Sequence, residues 1–216
     1  TPTATWSPTP TPTLTPTAVP AVVWGNPRAA IAAAPAPQAS APCGVIDTLD
    51  FPLLPPDGEG ATGGGDFGRY RSRYGLYHAG EDWRLRSRSQ TLGTGVHSIG
   101  HGQVTYAQPL GWGLDQGVVI VRHVYANGGS FLSFYGHLEP ESVTLAVGSC
   151  VARGDVVGRV GKPRTSPHLH FELRTHMPTE PGRGYSVEDP TLYGWLPPSA
   201  TICRQRITAL PGVAWT

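Results

Sequence analysis

Between residues 95 and 174 short apolar runs alternate with glycine-containing turns: GVHSIGHGQVTYA, GVVIVRHVY, SFLSFYGHL, SVTLAVGSCV, DVVGRVG and HLHFELR. Runs of this length, rich in β-branched and aromatic residues and closed by turn formers, predict strands. Their number and spacing predict an all-β domain, a compact antiparallel sandwich or barrel-like sheet. The pattern shows no amphipathic helix of three turns. The first part of the chain reads differently. Residues 1–20, TPTATWSPTPTPTLTPTAVP, form a Thr-Pro tract, which excludes helix and central strand and favours extended polyproline II, the habit of a stalk or spacer. Residues 21–42 stay Ala/Pro-rich, with NPRAAIAAA the one helix-capable stretch, and DGEGATGGGD (57–66) reads as a flexible loop on its glycine content. The expected organisation is an irregular proline-rich arm at 1–42, a glycine-rich lead-in at 43–65 and a β domain with a C-terminal tail at 66–216.

Charge and cysteine content narrow the classes. Lys+Arg number 16 against 15 Asp+Glu, so the chain lacks the basic surplus of a nucleic-acid binder. No run of 18 apolar residues is present, and no membrane span is expected. The sequence opens without a methionine or a basic-plus-apolar leader, as a mature or trimmed form would. Cys43, Cys150 and Cys203 lack the CxxC spacing of thiolate zinc sites. Three cysteines allow one disulfide in three pairings. Cys43 and Cys203 lie outside the β region, where the domain's ends could meet, and are the expected pair. Cys150, inside the apolar AVGSCVARG, is expected as a buried thiol.

Three stretches carry candidate chemistry. In SPHLHFEL (166–173), His168 and His170 are two apart on a strand, so they share a face with Cα atoms about 6–7 Å apart. Such a pair alone could equally be solvated or hydrogen-bonded across strands. In YGLYHAGEDWRL, His78 and Asp82 would lie about 13 Å apart on a straight strand. Sharing an ion requires the chain to bend between them, and Gly80 permits a bend. In FYGHL, His137 ends an aromatic strand.

In that order, HAGED, YGHL and SPHLHFEL resemble the LytM/lysostaphin-type zinc metallopeptidases, the M23 family. GTGVHSIGHGQVTYA resembles the family's strand–turn–strand before its active site, and SVTLAVGSCVARGDVVGRVG its long hairpin leading to the HxH strand. The resemblance covers about residues 66–193. It implies one Zn2+ per chain held by His78, Asp82 and His170, with a water in the fourth position, and His137 and His168 as two catalytic histidines beside that water. It also implies metal-assisted hydrolysis of peptidoglycan peptides outside the cytoplasm. Two neutral imidazoles and one carboxylate leave a zinc site positive, which lowers the pKa of water toward about 7. An imidazole with an unperturbed pKa near 6.5 can take a proton and pass it to a leaving amine. The same fold could instead serve as a non-enzymatic wall-binding or amidase-activating module, but such relatives have lost ligands that are present here. A latent peptidase covered by residues 1–60 is a third reading. The motifs leave the cleaved bond open between a glycine bridge, a cross-link to a diamino acid and a non-wall peptide.

The other candidates have plainer expectations. His97, His101 and His123 read as structural, His176 as exposed, and Glu81 as a surface or supporting group pointing away from the metal. Tyr70, Tyr74 and Tyr77 could line the groove or pack the core. The arginines of RYRSRY and RLRSRSQ read as a solvated face or a contact for anionic polymer.

Overall fold

The computed structural model describes residues 41–176 and 181–208. Residues 1–40, with the Thr-Pro arm and the greater part of the 1–60 segment expected to cover the groove, lie outside the described residues; residues 41–60 of that segment are described and pack into the core through Leu49 and Leu53. The first strands are β1 (Ala61–Thr62), β2 (Tyr70–Arg71), β3 (Leu76–His78), β4 (Glu81–Leu85), β5 (Gly95–His97) and β6 (Gly102–Gln108). The long central strands β7 (Gly117–Val124) and β8 (Ser130–Leu138) follow, then β9 (Cys150–Val151), β10 (Val156–Arg159), β11 (Leu169–Arg174), β12 (Tyr185–Ser186) and β13 (Trp195–Leu196). Two α-helices, α1 (Arg88–Thr91) and α2 (Pro198–Thr208), and three short 3-10 helices complete the elements of the described residues.

The main sheet runs β1–β4–β11–β8–β7–β6–β9, with β13 pairing β11, and two small sheets, β5–β10 and β2–β3–β12, flank it. All of these pairings are antiparallel, as expected for the all-β class. Central strands are buried on both faces, and period-two alternation sorts their residues. Val119, Val121, Tyr135, Phe171 and Leu173 face the main core, while Val118, Ile120, Leu132 and Phe134 form a second cluster under Trp112. That second face also carries His170, because His170 pairs Gly136 and Glu172 pairs Phe134.

Four expectations need correction. The disulfide joins Cys43 to Cys150, with Cα atoms 5.2 Å apart, and Cys203 is a free, exposed thiol on α2. Cys150 sits in an apolar stretch yet is exposed, because β9 is the edge strand paired to Gln103 and Gly102 of β6. Its pairing cysteine arrives on the lead-in segment, which Ile46 ties to Val124 by an amide–carbonyl bond of 2.9 Å. Second, an eleven-residue helix, α2, does form. It escapes the periodic pattern because its described apolar side chains form no stripe; fully buried Ile202 reaches the core. Pro198 suits its first turn, and the carboxylate of Glu81 accepts from the Ser199 amide (3.2 Å) and hydroxyl (2.5 Å). Third, residues 142–161 do not form one hairpin: β9 pairs β6, and β10 pairs β5. Fourth, the glycine-rich loop contains β1, which pairs Leu85 and Arg84. Its Gly63 packs where a Cβ would lie 2.7 Å from the Trp83 ring, so close approach explains that glycine. The segment before it is also built in: Leu49 and Leu53 are fully buried, and Phe51 packs on Trp83 at 5.4 Å between ring centroids.

Candidate metal centre and cleft

The bend between His78 and Asp82 occurs as expected, but its glycine works by size. A Cβ on Gly80 would lie 2.5 Å from the Phe171 carbonyl oxygen and 2.9 Å from His170 Nε2. β3 therefore delivers His78 directly beside β11, and the register places Asp82 opposite His170. Three atoms converge. His78 Nε2 lies 3.1 Å from His170 Nδ1 and 3.2 Å from Asp82 Oδ1, and His170 Nδ1 lies 3.3 Å from the same oxygen. A tetrahedral zinc with ligand bonds near 2.0–2.1 Å requires ligand atoms about 3.3–3.4 Å apart. Among the described residues, these three are the group of histidine, cysteine and acidic side chains close enough to share an ion.

The outer nitrogens explain why the inner ones are free to ligate. His78 Nδ1 contacts the Asp66 carbonyl oxygen at 3.2 Å, and His170 Nε2 contacts Glu172 Oε1 at 2.8 Å. Both oxygens can only accept, so the histidine protons sit on those outer nitrogens. His78 Nε2, His170 Nδ1 and Asp82 Oδ1 are then three acceptors facing one another, an arrangement that calls for a proton or a cation between them. The titration of the group reflects this. Burial opposes protonation of His78, but Asp66 and Asp82 outweigh it and raise its pKa to about 9. His170 is likewise shifted up by Asp82 and Glu172 against its burial. Burial would raise Asp82, but His170 and His78 hold it far below the usual carboxylate range. Arg71 Nη2 steadies the set, 2.7 Å from Asp66 Oδ2 and 3.5 Å from Asp82 Oδ2. Glu172 is held by Arg174 Nε at 2.6 Å and by the Trp195 indole. Its burial opposes ionisation, yet Arg174 and His170 bring its pKa down to about 2.

His137 and His168 stand next to this triad, with ring centroids 4.5 Å apart. His137 would point into the wrong face on a regular strand, since Gly136 already pairs His170. A bulge corrects this: Val118 pairs Gly136 but Gly117 pairs Leu138, leaving His137 as the extra residue, with φ of 61°. Positive φ is costly for a histidine, and the surroundings enforce it. The His137 carbonyl accepts from the Gly161 amide at 2.8 Å, and its Nδ1 donates to the Asp115 carbonyl at 2.8 Å. His168 Nδ1 donates to the Ser166 carbonyl at 2.7 Å. Each ring thus keeps Nε2 without its proton in the neutral form. For His137 that form is strongly favoured, because burial and the neighbouring His168 and His170 lower its pKa to about 3.

These groups line an open cleft of about 810 Å³, within the ordinary range for ligand sites. Several of its residues escaped the reading of the sequence. Trp112 roofs the histidines, 4.9 Å from His137 and 5.2 Å from His170 between ring centroids, and its indole donates to the Gly182 carbonyl. Gly136 makes room for it, since a Cβ there would lie 2.6 Å from the Trp112 ring. Tyr185 packs 5.4 Å from His78 and 5.1 Å from Tyr74. Of the tyrosines considered earlier, Tyr74 lines the cleft. Glu172 carried a usable signal, being two residues beyond His170 on the same strand face; Asp66, Trp112 and Tyr185 come from distant loops and edge strands. The remaining histidines are structural. His97 bonds the Gly154 carbonyl, and fully buried His123 bonds the His101 carbonyl and the Ser133 hydroxyl. His176, expected to be exposed, is half-buried against Trp195. Glu81 does point away from the His78–Asp82–His170 triad, yet it is buried, shared between Trp83 and the start of α2.

The sequence model of peptidase family M23 matches residues 77–181, a span that holds His78, Asp82, His137, His168 and His170. Over this span the chain is similar to peptidase family M23. Among solved structures, cbpa from L. salivarius REN shares the fold, with a TM-score of 0.51 at 21% identity over 75% of this chain and 99% of that one. The catalytic domain of lysostaphin from Staphylococcus simulans is 23% identical over 61% of this chain and 90% of its own, with a TM-score of 0.43. A zinc-containing peptidase from Vibrio cholerae is 23% identical over 59% of this chain, with a TM-score of 0.43, and the chain spans 37% of that protein's length. No curated protein matches the sequence. M23 peptidases are zinc-dependent and act on peptidoglycan, and no helix among the described residues is long and apolar enough to cross a membrane.

Proposed function

We propose that this M23-like chain is an extracytoplasmic zinc endopeptidase that hydrolyses peptide bonds in bacterial peptidoglycan. His78 Nε2, Asp82 Oδ1 and His170 Nδ1 hold the ion, and His137 and His168 assist the water beside it. The observation that carries this reading is the triangle of three acceptor atoms 3.1–3.3 Å apart, opening into a cleft beside two further imidazoles. A zinc ion in that triangle supplies Lewis-acid chemistry, lowering the pKa of water and polarising a carbonyl. The protein's own groups do the rest. His168 Nε2, 3.6 Å from Asp82 Oδ1, lies close enough to the triad to accept a proton there and return it to a leaving amine. His137 Nε2 shares the site as an acceptor, because its Nδ1 proton is held by the Asp115 carbonyl, and so can orient the attacking water or the leaving amine by hydrogen bonding. Trp112 packs over one side of this region. All five residues being present supports an enzyme over a binding module, and the Cys43–Cys150 disulfide supports an oxidising compartment.

The test uses the full chain. Zinc is measured by elemental analysis, and purified peptidoglycans of different bridge types are digested, with products identified by mass spectrometry. Stoichiometric zinc and new amino termini within the peptides are expected, both abolished by a chelator and restored by zinc. Metal-replete protein that releases no peptide fragment from any wall would refute the assignment.

A further inference from the structure

The cleft is far more basic than the chain. Its lining contains Arg71, Arg73, Arg84, Arg164 and Arg183 against Asp82 and Asp115, while the whole sequence carries a net charge of +1. Two of the five guanidiniums are engaged in building the site: Arg71 with Asp66 and Asp82, and Arg164 with Asp115. Arg73 lies over the Tyr74 ring at 5.8 Å. Among the described residues, the side chains of Arg84 and Arg183 have neither a hydrogen bond nor an ion pair.

Their positions are not scattered. Arg84 is two residues beyond Asp82 on β4, so it shares the cleft face with its Cα about 6.5–7 Å away. Arg183 precedes Gly184, whose backbone passes so close to His170 that a Cβ would lie 3.1 Å from the ring. Both arginines thus flank the triad. The sheet order β4–β11–β8 places His137 on the other side of His170 from Arg84. An extended peptide spans about 3.3–3.6 Å per residue, so a group meeting Arg84 sits within about two residues of a bond held at the triad. Guanidiniums with free donors match a carboxylate in shape and charge; an uncharged glycine bridge would leave them solvated.

We infer that this cleft selects peptides with a free carboxylate within two residues of the scissile bond, and that Arg84 and Arg183 bind it. This rests on the peptidase reading and adds its substrate class: a cross-link to a diamino acid with its α-carboxylate free, rather than a neutral bridge.

The test uses two cross-linked peptidoglycan peptides identical except that this carboxylate is free in one and a carboxamide in the other. kcat/KM is measured on the zinc-replete full chain, and equilibrium binding of the same pair on its His168→Ala variant. The free carboxylate is expected to be favoured roughly 10-fold or more, less so as salt rises from about 0.05 to about 0.5 M. In Arg84→Gln/Arg183→Gln protein with an unchanged melting temperature, the ratio should fall to within about two-fold of unity. Equal use of the two peptides, or a preference that survives in the double variant, overturns the inference. If neither peptide is cut but arginine-dependent selective binding persists, the subsite stands and the peptidase reading fails. If there is neither cutting nor selective binding, both fall.

Discussion

Replacing Glu172 by glutamine removes one negative charge from the most enclosed ionic group beside the site. Glu172 is fully buried, and its carboxylate receives His170 Nε2 at 2.8 Å and Arg174 Nε at 2.6 Å. Arg174 is itself 1% exposed and depends on this carboxylate, the Pro181 carbonyl at 2.7 Å and the Phe134 ring at 4.5 Å; its Nη1 has no partner. Breaking a buried pair by neutralising one member strands the other charge, at a cost of about 3–5 kcal/mol. Against a total stability of about 5–15 kcal/mol, that is a large fraction. The same change loosens the His170 ring, and loss of such an outer partner lowers metal affinity by about 10- to 100-fold. Urea denaturation in chelator reads the first effect, and competition with a chromophoric zinc chelator the second. Both losses should appear in Glu172→Gln. A variant within about 0.5 kcal/mol of wild type that binds zinc equally well would refute this reasoning, because it would mean that neither Arg174 nor His170 depends on the carboxylate.

Other perturbations have equally definite outcomes. Cys43→Ser should lower stability by about 2–5 kcal/mol, since the disulfide closes a separation of 107 residues, while Cys203→Ser should stay within about 0.5 kcal/mol; peptide mapping without reductant, finding Cys43 bonded to Cys203, would contradict this. Gly80→Ala forces a methyl against the Phe171 carbonyl oxygen, so β3 must shift. Zinc affinity and denaturation midpoint should then drop together, and an alanine variant with wild-type affinity would count against the close-approach argument. His123 has its pKa lowered to about 4 by burial, against 6.5 when unfolded. The unfolded chain therefore binds the extra proton, and the stability His123 contributes is present above about pH 6.5 and lost as pH falls toward 4, by up to about 3 kcal/mol. The difference in stability between wild type and His123→Gln should shrink by that amount across the window; a constant difference would exclude the linkage.

Legibility in the sequence followed the range of the interactions. Strand alternation exposed His168 and His170 as one face, and the same rule reaches Glu172 and Arg174, which complete that face inside the protein. The all-β class was readable because each central strand carries its own apolar pattern. What was hidden depends on contacts between distant segments. Asp66 reaches His78 only through the turn and pairing of β2 with β3, and Trp112 covers His170 only because β8 offers Gly136. The bulge at His137 adds one residue to a strand whose text looks regular. Cys150 misled because apolar neighbours suggest burial, whereas edge position decides it. α2 lacked a visible stripe because, among its described side chains, Ile202 is the one that joins the core cluster.

The central claim is that two imidazoles of one strand face have different roles, and zinc content measured alongside turnover in His168→Ala and His170→Ala tests it most directly. His170→Ala removes a ligand atom 3.3 Å from Asp82 Oδ1, so zinc and activity should be lost together. His168→Ala leaves the triangle intact, so zinc should remain while turnover falls by about 10²- to 10⁴-fold, the usual contribution of a positioned acid–base group. A His168→Ala protein that loses its metal, or a His170→Ala protein that keeps it, would contradict the account.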